Sequence, residues 1–214
     1  MRSRHSLSFL SAAGWASARL QVEARHHAAI ERWCAADWPL IVRRHEADCP
    51  TGQVCLGLAL PPEPESGIKH RLPLRIAIDE VTRSRPPLTL AEVRLVLPPA
   101  WQAALPAATM PLAVFGSTAL QAITGLPYLR ETSDLDILLQ PTTLAALTDG
   151  LALLTQVEAL LPLDGEIVFP SGAAVAWKEW RAASAQGAAM RVLAKHDEGV
   201  MLVRVDALLA SLTA

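Results

Sequence analysis

Two carboxylates one residue apart, Asp134 and Asp136, stand inside the apolar run SDLDILL (133–139) of a chain with only 19% charged residues. Alternate side chains of an extended strand share a face, so both acids project one way while Leu135 and Ile137 project into a core. At about 3.3 Å of rise per residue their stems lie about 7 Å apart and can converge on one ligand. Unshielded, the two would repel each other and one carboxyl would keep its proton. A hard divalent cation such as Mg²⁺ removes that conflict, because it prefers oxygen ligands. Such ions, in pairs about 4 Å apart, activate an attacking oxygen and neutralise a leaving one at phosphorus. The plain alternative for Asp-x-Asp is a strand end that faces solvent.

A second feature lies upstream in AVFGSTALQAIT (113–124), where an apolar run meets Gly116 and Ser117 and then a helical pattern. A Gly-Ser turn that ends a strand and opens a helix lets backbone N–H groups approach a phosphate, with the helix N-terminus and the Ser hydroxyl adding to the grip. Taken alone, either motif occurs by chance in many folds. Together they would deliver phosphate beside the strand that holds the metal.

The elements that must position these groups are legible from periodicity. MPLAVF (110–115) and LDILL (135–139) read as buried strands, and STALQAIT (117–124) as a helix with Ala119, Leu120 and Ile123 on one face. Leu144, Leu147, Leu151, Leu154 and Val157 recur at helical spacing through PTTLAALTDGLALLTQVEALLP (141–162), capped by threonines, ended by Pro162 and weakened by Gly150. GEIVF (165–169) and AVAWKEW (174–180) flank PSG as a hairpin, and MRVLAK (190–195) and VMLVRV (200–205) supply more strand. Upstream, WPLIVRR (38–44), QVCLGLAL (53–60), RLPLRIAI (71–78) and EVRLVLP (92–98) read as short strands. RHHAAIERWCAADW (25–38) reads as a helix with Ile30, Trp33 and Cys34 on one side, and PPEPESG (61–67) as a loop. The Pro- and Ala-rich stretch 98–111 is expected to join two halves. The expected organisation is a smaller β-rich domain over 1–105 and a mixed α/β (α+β) domain over 106–214.

At 214 residues, 51% of them hydrophobic, the chain is long enough for a substantial core. A net charge of −2 gives no global attraction to nucleic acid or to an acidic membrane, so any polyanion must meet a local basic cluster. Cys34, Cys49 and Cys55 form no C-x-x-C pair, so neither a disulfide framework nor a zinc site is suggested and a reducing cytoplasm is expected. The first twenty residues imitate a secretory leader, but the apolar part is short and interrupted by Ser11, Gly14 and Ser17. No run approaches the ~20 apolar residues of a membrane-spanning helix.

The Gly-Ser turn followed by an Asp-x-Asp strand resembles the polymerase-beta-like nucleotidyltransferases. More specifically, GSTALQAITGLPYLRETSDLDILL resembles the phosphoribosyl-dephospho-CoA transferases, the holo-acyl-carrier-protein synthases of malonate decarboxylase. WPLIVRR, LDGEIVFPSGAAVAWKEW and VLAK are similar to that family in order and spacing, so the likeness covers most of the chain. The stretch 118–133 between Ser117 and Asp134 is longer than in the wider superfamily. The surplus is TGLPYLRETS, itself a feature of the narrower family.

The resemblance implies a polymerase-beta-like catalytic domain with a mixed sheet. It also implies transfer of 2'-(5''-triphosphoribosyl)-3'-dephospho-CoA to a serine of the apo acyl-carrier subunit of malonate decarboxylase, with release of diphosphate. Asp134 and Asp136 would ligate Mg²⁺ or Mn²⁺, and one of them would help take the serine proton. A third carboxylate is expected, with Glu166 favoured over Asp164 and Asp206 because it sits inside an apolar run, whereas Asp164 before Gly165 is ordinary turn chemistry. The family's double arginine falls on Arg43 and Arg44 and its VLAK lysine on Lys195. With Lys69 and Arg71, and Arg130 as a further possibility, these would hold the triphosphate, although each alone also reads as a solvated surface charge.

Two other readings stand beside this one. The chain could be a nucleotidyltransferase for another small molecule or protein, including the citrate lyase carrier, or a silent nucleotide-binding docking module. His26, His27 and His196 lack ligand spacing and read as surface, capping or turn residues. The tryptophans read as packing, with Trp177 placed near the expected site, and the three cysteines as buried thiols.

Overall fold

The computed structural model describes residues 3–105, 112–197 and 199–213. The chain divides into two compact units, Met1–Pro87 with Leu126–Tyr128, and Leu88–Gly125 with Leu129–Ala214. It is an α+β protein: one unit holds an antiparallel sheet and the other a mixed sheet.

The first unit contains β1 (Leu7–Leu10), α1 (Ala12–Leu20), α2 (His27–Ala35), β2 (Leu40–Val42), β3 (Gln53–Ala59), β4 (Arg71–Ala77) and β5 (Val81–Arg85). The strands pair antiparallel in the order β4-β3-β2-β1-β5. Alternation sends Leu56 and Leu58 of β3 and Leu72, Leu74 and Ile76 of β4 into one core. Trp15 and Ala18 of α1 and Ile30 and Trp33 of α2 pack there too. Ser11 caps α1 by accepting from Gly14 N at 3.0 Å. The leader-like opening stretch thus forms β1 and α1, with Leu7, Leu10, Trp15 and Ala18 buried. Cys34 is exposed while Cys49 and Cys55 are buried, so the expectation of three buried thiols is corrected at Cys34. His26, expected as a surface or capping residue, stands at the N-cap position of α2 but is buried, its ring centroid 5.5 Å from that of His70.

The second unit contains β6 (Leu88–Thr89), α3 (Leu90–Val93), α4 (Pro99–Ala104), β7 (Ala113–Val114), α5 (Gly116–Thr124) and β8 (Leu135–Leu139). It continues with α6 (Leu144–Glu158), β9 (Leu163–Val168), β10 (Ala174–Ala176), α7 (Trp177–Gln186), β11 (Arg191–Lys195), β12 (Val200–Arg204) and α8 (Val205–Leu209). Its sheet runs β12-β11-β10-β9-β8-β7-β6, with β8 and β9 parallel and the other pairs antiparallel. Helix α6 supplies the crossover that a parallel pair requires. Its Gly150 has a packing reason, since a Cβ there would lie 2.6 Å from Leu139 of β8.

Two expected strands are helical instead. EVRLVLP begins inside α3, where Thr89 and Glu92 form a reciprocal capping box, and continues as a 3-10 turn over Arg94–Val96. AVAWKEW is strand only to Ala176, after which Trp177, Trp180 and Ala183 bury one side of α7. The Pro- and Ala-rich stretch expected to join two halves contributes α4 to the second unit, and its residues 106–111 lie outside the described residues, as do Met110 and Pro111 of the expected strand.

Candidate active site

Asp136 lies in β8, and Asp134 stands two residues before it, just ahead of the strand's first residue, Leu135. Parallel pairing sets Asp136 beside Asp164 of β9 and Ile137 beside Gly165. One carboxylate oxygen from each of Asp134, Asp136 and Asp164 lies within 4.8 Å of the other two. Three acids from two adjacent strand starts therefore converge on one point, with Asp164 exposed and Asp136 half-buried. Neither Asp134 nor Asp164 is ion-paired with a basic side chain among the described residues.

Two glycines make this convergence possible. Gly116 opens α5 with φ +67°, and a Cβ on it would fall 1.9 Å from Asp136 Oδ2, so only glycine admits the carboxylate against the turn. Gly165 lets β9 approach β8, because a Cβ there would fall 2.2 Å from the Ile137 carbonyl oxygen. The Phe115 N–H donates to the Asp136 carbonyl at 3.0 Å, which ties the Gly-Ser turn to the acidic strand through the backbone. No side chain among the described residues caps α5, and its first residue, Gly116, stands against Asp136 of the acidic cluster. Thr118 is fully buried and its hydroxyl has no hydrogen-bond partner among the described residues.

The loop before Asp134 is braced internally. Ser133 N donates to the Arg130 carbonyl at 2.9 Å, and Arg130 N donates to Ser133 Oγ at 3.0 Å. Leu135 N donates to the Pro162 carbonyl at 2.9 Å, which joins the starts of β8 and β9. Ser133 and Gly165 carry no obvious chemistry in the sequence. Their part in the site is visible only once β8 and β9 are seen side by side.

Glu166, the favoured third carboxylate, is not in this cluster. It is buried and accepts from Lys195 Nζ at 2.7 Å across β10, so Lys195 and Glu166 form an ion pair spanning three strands. Asp206 pairs with Arg204 at 2.5 Å, which holds its carboxyl below the usual range. Trp177 is buried beneath Arg181, whose guanidinium lies 4.6 Å from its ring, so it packs in α7 and offers no stacking face.

The remaining basic residues belong to the first unit. Arg43 donates to Glu46 at 2.5 Å while its other terminal nitrogen is buried without a hydrogen-bond partner among the described residues. Arg44 is exposed after β2, Lys69 is exposed before β4, and Arg71 opens β4 opposite Ala59.

Chemically, three converging carboxylates are a hard oxygen donor set of the kind that fits Mg²⁺ or Mn²⁺, and the adjoining amides at the start of α5 suit a phosphate. Two family models match the chain. Residues 3–87 match the phosphoribosyl-dephospho-CoA transferase MdcG N-terminal domain, and residues 88–206 match its C-terminal domain. Curated relatives named phosphoribosyl-dephospho-CoA transferase agree. One from Xanthomonas campestris pv. campestris is 39% identical over 84% of both chains. Another, from Bradyrhizobium diazoefficiens, is 36% identical over 94% of this chain and 89% of its own. A third, from Xanthomonas axonopodis pv. citri, is 34% identical over the full length of both. No solved structure matches the chain. By fold this is a two-unit α+β protein, and by its relatives a transferase. The chain belongs to the phosphoribosyl-dephospho-CoA transferase family.

Proposed function

We propose that the chain attaches a 2'-(5''-triphosphoribosyl)-3'-dephospho-CoA prosthetic group to a serine of the apo acyl-carrier subunit of malonate decarboxylase. The serine Oγ attacks the α-phosphorus, a P–O bond forms to serine, the bond from the α-phosphorus to the bridging oxygen breaks, and diphosphate leaves. A phosphodiester links the carrier to the group. The observation that carries this reading is the convergence of Asp134, Asp136 and Asp164 within 4.8 Å beside the turn at Gly116.

In this reading Asp134, Asp136 and Asp164 hold Mg²⁺ or Mn²⁺, with Asp164 taking the role that Glu166 had on sequence grounds. The bound ion supplies charge neutralisation at the phosphates and activation of the attacking hydroxyl. Asp134 or Asp136 accepts the serine proton, and the amides of Gly116 and Ser117 orient a donor phosphate. Arg43, Arg44, Lys69, Arg71 and Lys195 are the cations from which the remaining phosphate contacts are drawn, with Lys195 already committed in part to Glu166. No helix among the described residues is long and apolar enough to cross a membrane. We place the reaction in the cytoplasm, with neither nucleic acid nor membrane as a partner.

The test mixes the protein, Mg²⁺, the triphosphoribosyl donor and apo carrier, and follows the carrier's mass. A gain equal to the prosthetic group is expected, with near-total loss in Asp134→Asn and an unchanged circular dichroism spectrum. Transfer in Asp134→Asn at close to the parental rate overturns the role of that carboxylate. Preference for an ordinary nucleoside triphosphate over the CoA-type donor overturns the substrate.

A further inference from the structure

We propose that His45, Cys49 and Cys55 form a zinc site in the first unit. Their spacing matches no common zinc motif, so only the folded hairpin between β2 and β3 discloses them. One ligand atom from each lies within 4.8 Å of the other two, with both thiols buried and the imidazole exposed. Zn²⁺ is bound by thiolate and imidazole in tetrahedral sites, at about 2.3 Å to sulfur and 2.0–2.1 Å to nitrogen. Closing the cluster onto an ion thus asks for small shifts of side chains alone.

Hydrophobic packing does not account for this convergence. Cys55 alternates with Leu56 and Leu58 along β3, so it faces away from the core that those leucines fill, and neither buried thiol belongs to that core cluster. Two thiols and an imidazole have been brought together on the opposite face of the sheet, beside Arg75, which pairs with Cys55 in register.

The surroundings hold the loop in place. Cys49 N donates to the Glu46 carbonyl at 2.8 Å, and Arg43 N donates to the Cys55 carbonyl at 2.9 Å. Glu46 bridges Arg43 at 2.5 Å and Arg75 at 2.8 Å, while Asp48 meets Arg75 at 2.6 Å. Two thiolates and a neutral imidazole match the charge of Zn²⁺. The fourth position would fall to water or to a neighbouring carboxylate.

The full chain, reduced and stripped with chelator, is titrated with Co²⁺ and then Zn²⁺. The expected result is a thiolate-to-cobalt charge-transfer band that saturates at about one ion per chain and disappears as Zn²⁺ displaces it. Cys49→Ser and Cys55→Ser should abolish the band. The exposed position makes His45→Ala a variant expected to fold, and it should weaken Zn²⁺ binding by about tenfold or more. Absence of the band, its persistence in either cysteine variant, or unchanged affinity in His45→Ala overturns the proposal. So does a Cys49–Cys55 disulfide, seen by mass, in protein purified without reductant or chelator.

Discussion

At the scale of single residues, the site depends on one missing methyl group. Gly116→Ala would place a Cβ on Asp136 Oδ2 and force a non-glycine residue into left-handed backbone. The conformation alone costs on the order of 1–3 kcal/mol. The side chain that must move is one of the three converging acids, so transfer should fall far more than stability. Parallel melting and transfer measurements check this, and a variant that keeps its rate would detach the turn from the chemistry. Asp164 and Glu166 make a second contrast. Asp164→Asn should abolish transfer, whereas Glu166→Gln should retain much of it, because Glu166 answers to Lys195. Lys195→Met should lower stability by roughly 1–3 kcal/mol, since it removes the cation paired with a buried carboxylate, discounted for the lysine's own partial exposure. The sequence shows Asp134 and Asp136 because their motif is local. It favours Glu166 over Asp164 because Asp164 precedes a glycine, which reads as a turn, whereas the structure brings Asp164 beside Asp134 and Asp136, and only the neighbouring strand reveals that Gly165 is there for close approach.

At the scale of elements, periodicity discloses α5, α6 and β8, whose apolar positions repeat cleanly. It fails where a short segment's state is decided by a cap or by a neighbour. In EVRLVLP the deciding feature is the Thr89–Glu92 capping box, and in AVAWKEW it is the burial of Trp177 and Trp180. β1 and α1 share a leader's composition, a short apolar stretch followed by small residues, and in the structure they form a strand and a helix of the first unit. The loop from β2 to β3 gives a pH prediction. A hydrogen bond from Arg75, and then one from Arg43, holds the Glu46 carboxyl below its ordinary value of 4.5. A depressed carboxylate contributes its stability above the unfolded-state value and loses it as pH falls through the lower, folded one. The melting temperature should therefore drop as the solution is acidified below about pH 4.5, and Glu46→Gln should make that decline shallower. An identical acid profile in the variant would mean that other carboxylates carry the effect.

At the scale of the whole molecule, the loop between α5 and β8 serves two purposes in succession. Leu126–Tyr128 belong to the first unit, and Arg130 and Ser133 then brace the approach to Asp134. The loop thus supplies a core residue to one unit before it enters the acidic strand of the other. Tyr128 is buried and its hydroxyl donates to the Ala59 carbonyl at 2.7 Å, at the end of β3. Desolvation pushes its ionisation upward, so it remains a donor throughout the working pH range. Tyr128→Phe removes one buried hydrogen bond and leaves a carbonyl unsatisfied, a loss of roughly 1–2 kcal/mol. Tyr128→Ala also opens a cavity and should cost about 3–5 kcal/mol. Both losses should appear in the first unit. Hydrogen exchange of the β3 and β4 amides in the full-length variants should quicken in the order alanine, then phenylalanine, then parent, while amides of α6 change little. Equal acceleration in the two units would show that they unfold as one cooperative body, and unchanged exchange in β3 would show that Tyr128 is not part of what holds the first unit together.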